Sequence, residues 1–364
     1  MKKLFIVLLL LAAPALAQRS VPEIPFESVP DFFKYPVTMY LGEMVGVALN
    51  SKGHIFMLSH SNLSGAAFNP LGSQLLEFDE KGNYLREIGK GVYGASAGHS
   101  LRIDREDNIW LIDKGSNLSM KFNAAGRLKM VLGHRDDITE PHDYLKYSET
   151  FSPTFTPPPA VENVFNQPTD IAWDPQDNMY ITDGYINSRV AKIDKNGDWI
   201  KSWGTRGSGP GQFLTPHNIA IDKQGNLYVA DRSNARIQVF DTDGKFLRII
   251  KIDVPVPPGV RFVWGDTPPT PPKSGTFAPG APCAICITSG ATPYLYVADI
   301  FPGRIYKMTL DGKILGMLGR AGKQLGQFGV PHEMACPSEN ELYVADAQNW
   351  RVQKLILHPE KMAH

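Results

Sequence analysis

Asn226-Leu-Tyr-Val-Ala-Asp231 decides the fold, because it returns along the chain. Tyr294-Leu-Tyr-Val-Ala-Asp299 and Glu341-Leu-Tyr-Val-Ala-Asp346 repeat it almost letter for letter. Asn108-Ile-Trp-Leu-Ile-Asp113 and Asn178-Met-Tyr-Ile-Thr-Asp183 keep its pattern, and His54-Ile-Phe-Met-Leu-Ser59 is a degenerate first copy. Short aromatic and β-branched runs behind a turn residue read as strands. A second strand follows most copies, as in Arg236-Ile-Gln-Val-Phe240 and Arg304-Ile-Tyr-Lys-Met308. An Asp-Gly turn then opens a third, at Asp243-Gly244 and Asp311-Gly312. No stretch carries a sustained helical period. Six copies of a multi-strand unit predict an all-β chain folded as a single six-bladed β-propeller.

Composition agrees with this. The chain has 364 residues, 43% of them hydrophobic, with 33 Gly and 29 Pro. That is too apolar for disorder and too poor in Gly and Pro for collagen, and it suits many turns. Lys plus Arg and Asp plus Glu both number 37, so no basic surplus points to a nucleic-acid partner. Met1-Lys2-Lys3, the apolar run Leu4 to Ala13 and Ala15-Leu16-Ala17 read as a signal peptide over residues 1–17, which implies a secreted or periplasmic protein. The run is too short to span a bilayer, and no integral membrane segment is expected after cleavage. Residues 18–41 are expected to lend a strand to the last blade and close the ring, with the propeller over 42–364. Pro-rich stretches near 134–163 and 252–281 read as insertions between strands. Cys283 and Cys286 lie in one alternating apolar strand and face opposite ways, so they read as ordinary buried thiols rather than a redox pair. Export leaves a disulfide open among Cys283, Cys286 and Cys336.

The repeats also expose a candidate site. His99, His217 and His332 each lie 14 residues before the terminal Asp of their copy, and each begins an apolar strand. The same register in the other copies holds approximately Val45, Thr169 and Cys283. Innermost strands line the channel of a propeller, so equivalent positions form a ring. The three histidines fall in the second, fourth and sixth copies, which spaces them evenly about the axis. Three converging imidazoles with an open position make a zinc site of the catalytic type, and imidazole needs no thiolate in an oxidising compartment.

Gly211-Gln-Phe-x-x-Pro-His217 and Gly326-Gln-Phe-x-x-Pro-His332 resemble NHL-type repeats. With these, Asp183-Gly-Tyr185-x-Asn187-Ser188-Arg189 and Asp231-Arg232-x-Asn234-x-Arg236-Ile-Gln resemble the peptidyl-α-hydroxyglycine α-amidating lyase family over residues 42 to 357. The resemblance implies a six-bladed propeller whose three axial histidines bind zinc. It implies that Tyr185 is the general base on the substrate hydroxyl and that Arg232 binds and neutralises the substrate. The implied reaction breaks the Cα–N bond of a peptidyl-α-hydroxyglycine to give a peptide amide and glyoxylate. The family has an arginine just after the first blade's inner strands; here His60 holds that place, as a third candidate for substrate contact. It also has a structural calcium, with an Asp after the third histidine; Glu333 stands there and offers an oxygen ligand. The other reading is a non-catalytic propeller that binds a protein, peptide or glycan on one face, its metal structural.

Overall fold

The copies at 108–113, 178–183 and 226–231 each start from a turn that an Asp side chain closes. Asp174 Oδ1 accepts the N–H groups of Gln176 and Asn178, both at 2.9 Å, and Asp222 Oδ1 does the same for Gln224 at 2.9 Å and Asn226 at 2.8 Å. Asp side chains favour such turns because they satisfy backbone donors two and four residues on. The aromatic of the repeat returns to the second oxygen: Tyr180 Oη lies 2.9 Å from Asp174 Oδ2 and Tyr228 Oη 3.1 Å from Asp222 Oδ2. In these copies turn and aromatic are one device, whereas Tyr296 bonds the Glu339 carbonyl and Tyr343 the Glu341 carboxylate.

The computed structural model describes residues 21–60, 72–134, 156–157, 159–262 and 275–362. The signal peptide expected over 1–17 and much of both Pro-rich stretches lie outside the described residues. Six four-stranded antiparallel sheets stand as blades. Their innermost strands are Glu43–Leu49, Gly98–Ile103, Asp170–Trp173, Pro216–Ile221, Pro282–Ile287 and Pro331–Ser338. Each contacts the next, and the sixth returns to the first. The sixth blade takes its outer strand from the start of the chain: Phe26–Ser28 pairs with Arg351–Leu357, Phe26 opposite Leu357. Among the described residues no helix is long and apolar enough to cross a membrane.

The repeated strands are second in each blade and are packed between neighbouring blades on both faces. All five residues of Leu227–Asp231 are fully buried. This is why the copies read as continuous apolar runs rather than alternating ones. Their terminal Asp is buried too, and it ties loops together. Asp231 accepts the Leu214 N–H at 2.7 Å, Arg236 Nε at 2.7 Å, Asn234 Nδ2 at 2.8 Å and Gln238 Nε2 at 3.1 Å. Asp113 accepts the N–H groups of Ala97 at 2.8 Å and Ser116 at 2.7 Å. The loop entering each blade and the loop leaving its second strand thus share one anchor.

One expectation is corrected. Cys286 is not an ordinary thiol: it is bonded to Cys336, joining the innermost strands of blades five and six. Strand alternation turns Cys286 away from Cys283 and toward the neighbouring blade, where Cys336 meets it. Cys283 is free and buried. The bond closes a separation of 50 residues. Cys286→Ser is expected to lower unfolding free energy by about 2–4 kcal/mol in non-reducing denaturant titrations. An unchanged midpoint would mean that the bond adds nothing to the fold.

Candidate metal centre

The histidines reach the axis because the innermost strands bulge where they sit. Gly98 pairs with Asp113 and Ser100 with Ile112, which leaves His99 as the extra residue. Pro331 pairs with Asp346 and Glu333 with Ala345, which leaves His332. Pro216 and Ile219 bracket the same irregularity around His217. A bulge re-aims a side chain that regular pairing would point into the sheet.

Three imidazoles meet there, all buried, with ring centroids 4.6 to 4.8 Å apart. One ligand nitrogen from each lies within 4.8 Å of the others. Each Nδ1 is held by a backbone carbonyl of the following blade: His99 by Thr169 at 2.7 Å, His217 by Cys283 at 2.7 Å and His332 by Val45 at 2.9 Å. These carbonyls belong to the register-equivalent residues of the odd blades. Even blades supply rings and odd blades supply the groups that orient them. A carbonyl accepts and never donates, so each Nδ1 carries hydrogen and each Nε2 keeps its lone pair. Burial, with the neighbouring cations and imidazoles, holds His99 and His217 well below the usual histidine range, and burial takes His332 down to about 3. Neutral rings with Nε2 lone pairs are the form that metals bind. His217 Nε2 is buried and has no hydrogen-bond partner. A buried acceptor without a partner, beside two further imidazoles, fits a metal ion.

Tyr185 lies over this cluster. Its hydroxyl is 3.0 Å from His99 Nε2, and its ring is 5.3 Å from that of His99 and 6.1 Å from that of His217. Gly184 lets it come so close: a Cβ there would sit 2.0 Å from the Pro216 carbonyl oxygen and 2.9 Å from a Thr169 methyl. The Arg232 guanidinium lies 5.5 Å from the Tyr185 ring centre and beside the Cys283 thiol. His60 bonds Glu43 at 3.1 Å on the rim, and its charge is felt at His332. A single imidazole cannot supply the bidentate fork of an arginine.

Glu333 is buried one residue past His332, on the axis below the ring. It accepts the N–H groups of Val47 at 3.2 Å and Leu101 at 3.2 and 3.3 Å, and it feels the Arg102 guanidinium. Arg102 in turn grips Asp170 at 2.6 and 2.8 Å. Asp170 also acts on Glu333, so two buried carboxylates share this place with the Arg102 guanidinium.

One residue at the mouth was missed from sequence. Lys114 Nζ lies 5.0 Å from the Tyr185 ring centre, and its charge is felt at His99, His332 and Glu43. The signal was present: Lys114 follows Asp113 as Arg232 follows Asp231.

A family model described as a 6-bladed beta-propeller matches residues 159–263. Among solved structures, a streptogramin B lyase aligns over 92% of this chain and 98% of its own at a TM-score of 0.54; at 14% identity this speaks for the fold alone. Fold and axis together define the class, a six-bladed β-propeller with three histidines converging on its channel. Peptidyl-glycine alpha-amidating monooxygenase A of Xenopus laevis is 31% identical over 287 residues, 77% of this chain and 26% of that protein. Peptidyl-alpha-hydroxyglycine alpha-amidating lyase 1 of Drosophila melanogaster is 25% identical over 272 residues, 71% of this chain and 44% of that protein. The chain belongs to the peptidyl-α-hydroxyglycine α-amidating lyase-like family of propellers. It spans about a quarter of the length of the Xenopus relative.

Proposed function

We propose that this chain is an exported zinc-dependent lyase that cleaves a peptidyl-α-hydroxyglycine, or a similar carbinolamide, to an amide and glyoxylate. The observation that carries this is the Tyr185 hydroxyl, 3.0 Å from His99 Nε2 at a cluster of three neutral imidazoles. Zinc held by His99, His217 and His332 would supply Lewis acidity to an oxygen brought against it. Tyr185 Oη is placed to take the substrate hydroxyl proton. As that O–H electron pair forms the carbonyl of glyoxylate, the Cα–N bond breaks and the nitrogen leaves as the peptide amide, gaining one proton. The proton lost matches the proton gained, and no oxidant is required. Arg232 supplies a fixed positive charge to the substrate carboxylate from beside the same ring. The leader over 1–17 and the Cys286–Cys336 bond both suit an oxidising destination.

The test joins metal analysis of purified protein to an assay for glyoxylate release from α-hydroxyhippurate. About one zinc per chain is expected, as in a site with three protein ligands. His217→Ala is expected to lose the metal and the turnover together. A full complement of zinc with no turnover would sink the lyase reading and leave a scaffold that binds a protein, peptide or glycan.

A further inference from the structure

We infer that Arg102 is the resident cation of the channel below the histidine cluster, and a positioning residue for that cluster. Its guanidinium takes the place that a divalent ion such as calcium would hold. The inference concerns what supports the three imidazoles and does not depend on the lyase reading.

The repeat singles Arg102 out. It lies three residues after His99, on the innermost strand of blade two. The other five innermost strands hold Ala48, Ala172, Ala220, Cys286 and Ala335 at the same place in the register. All five are small, as suits strands that crowd together about an axis. Only blade two puts a long charged side chain there. Its own layer contains two carboxylates, Asp170 and Glu333, each one residue past the histidine register and each fully buried.

Arg102 meets both. It grips Asp170 of the next blade with two arms of its fork, Nε to Oδ1 at 2.8 Å and Nη2 to Oδ2 at 2.6 Å. Its Nη1 faces the Met334 carbonyl of blade six at 3.5 Å, and Glu333, just before Met334, feels its charge. Two carboxylates and a peptide carbonyl are the oxygen donors that a hard divalent cation takes. Here a permanently charged guanidinium is set among them. Buried carboxylates are costly without a counter-charge, and Arg102 supplies one. A calcium ion added beside it would meet like charge.

The same side chains reach the metal centre. Asp170 directly follows Thr169, whose carbonyl holds His99 Nδ1 at 2.7 Å. Asp170 also accepts Ser100 Oγ at 2.6 Å, next to His99, and the Ile219 N–H at 2.9 Å, two residues after His217. Glu333 directly follows His332. It accepts the N–H of Val47, two residues after the Val45 carbonyl that holds His332 Nδ1. Arg102 is thus the counter-charge of two carboxylates that tie down the strands of all three histidines.

The experiment compares wild type, Arg102→Ala and Arg102→Lys, each freed of calcium with a chelator and then loaded with zinc. It reads the zinc dissociation constant by chelator competition, and the thermal midpoint with and without added calcium. Wild type is expected to purify without calcium and to keep its midpoint when calcium is added. Arg102→Ala is expected to bind zinc about ten- to a hundredfold more weakly, the range for loss of an outer partner of a metal ligand. Calcium is expected to restore much of its midpoint and zinc affinity by filling the vacated place. Arg102→Lys is expected to lie between the two and to ignore calcium, because it keeps the charge and loses the fork. About one calcium per chain in purified wild type would overturn the inference. So would unchanged zinc affinity in Arg102→Ala, or a lowered midpoint that calcium leaves where it is. Should Arg102→Ala not fold, calcium uptake by wild type or by Arg102→Lys would overturn it equally. The calcium readings need no turnover, so their failure is separate from failure of the lyase reading.

Discussion

Tyr185→Phe is expected to lower kcat for glyoxylate release by about 10²–10⁴-fold, the range for loss of a positioned proton-transfer group. The reason is that the substitution removes one atom and little else. The Tyr185 ring is 3% exposed and wedged among His99, His217, Lys114 and Arg232, contacts that Phe keeps. What disappears is the hydroxyl 3.0 Å from His99 Nε2. Zinc content and thermal midpoint should therefore stay near wild type while kcat falls. KM should change little, because the carboxylate is held by Arg232 and not by the phenol. An unchanged kcat in a metal-loaded Tyr185→Phe protein would remove Tyr185 from the proton transfer.

Asp231→Ala is expected to cost about 3–5 kcal/mol of stability, the range for stranding one member of a buried ion pair. Asp231 is fully buried, and Arg236 is 6% exposed, with its Nε at 2.7 Å from the carboxylate. Burial pushes the Asp231 carboxyl up to about 6, so it is ionised at neutral pH. Without it Arg236 keeps its bonds to the carbonyls of Ser208, Gly209 and Gln212 but loses its counter-charge. The N–H of Leu214 loses its acceptor in the same step, and the amides of Asn234 and Gln238 keep only their bonds to the Gly207 and Gln212 carbonyls. Denaturant unfolding checks the figure, and a loss below about 1 kcal/mol would show that the anchor is redundant. Arg232 sits next to Asp231, so the loosened loop should also weaken substrate binding in whatever fraction remains folded.

The fold was legible because a propeller repeats a local pattern. The turn Asp, the aromatic and the terminal Asp all act within one blade, over a span of about ten residues, so their recurrence survives in the sequence. The histidine register was legible for the same reason. It counts residues within a single repeat, from His217 to Asp231 or from His332 to Asp346. The resemblance to amidating lyases rested on the same local runs, around Tyr185 and Arg232.

Other features depend on closure of the ring, and no local pattern announces them. His332 is oriented by the carbonyl of Val45, 287 residues away, and Glu333 is bonded by the N–H groups of Val47 and Leu101. Cys286 meets Cys336 because two strands become neighbours, not because of their spacing in the chain. Lys114 and Arg232 approach one tyrosine ring because blades two, three and four bring both to it. The sequence by itself determined the six blades, the register of the three histidines within their repeats and the local runs around Tyr185 and Arg232. The tertiary structure alone decided what surrounds them: the carbonyls that turn the Nε2 lone pairs inward, the N–H groups that hold Glu333, and the second cation beside Tyr185. The division is physical. Periodic short-range hydrogen bonding writes itself into the sequence, while contacts across a closed ring join residues whose separation carries no period.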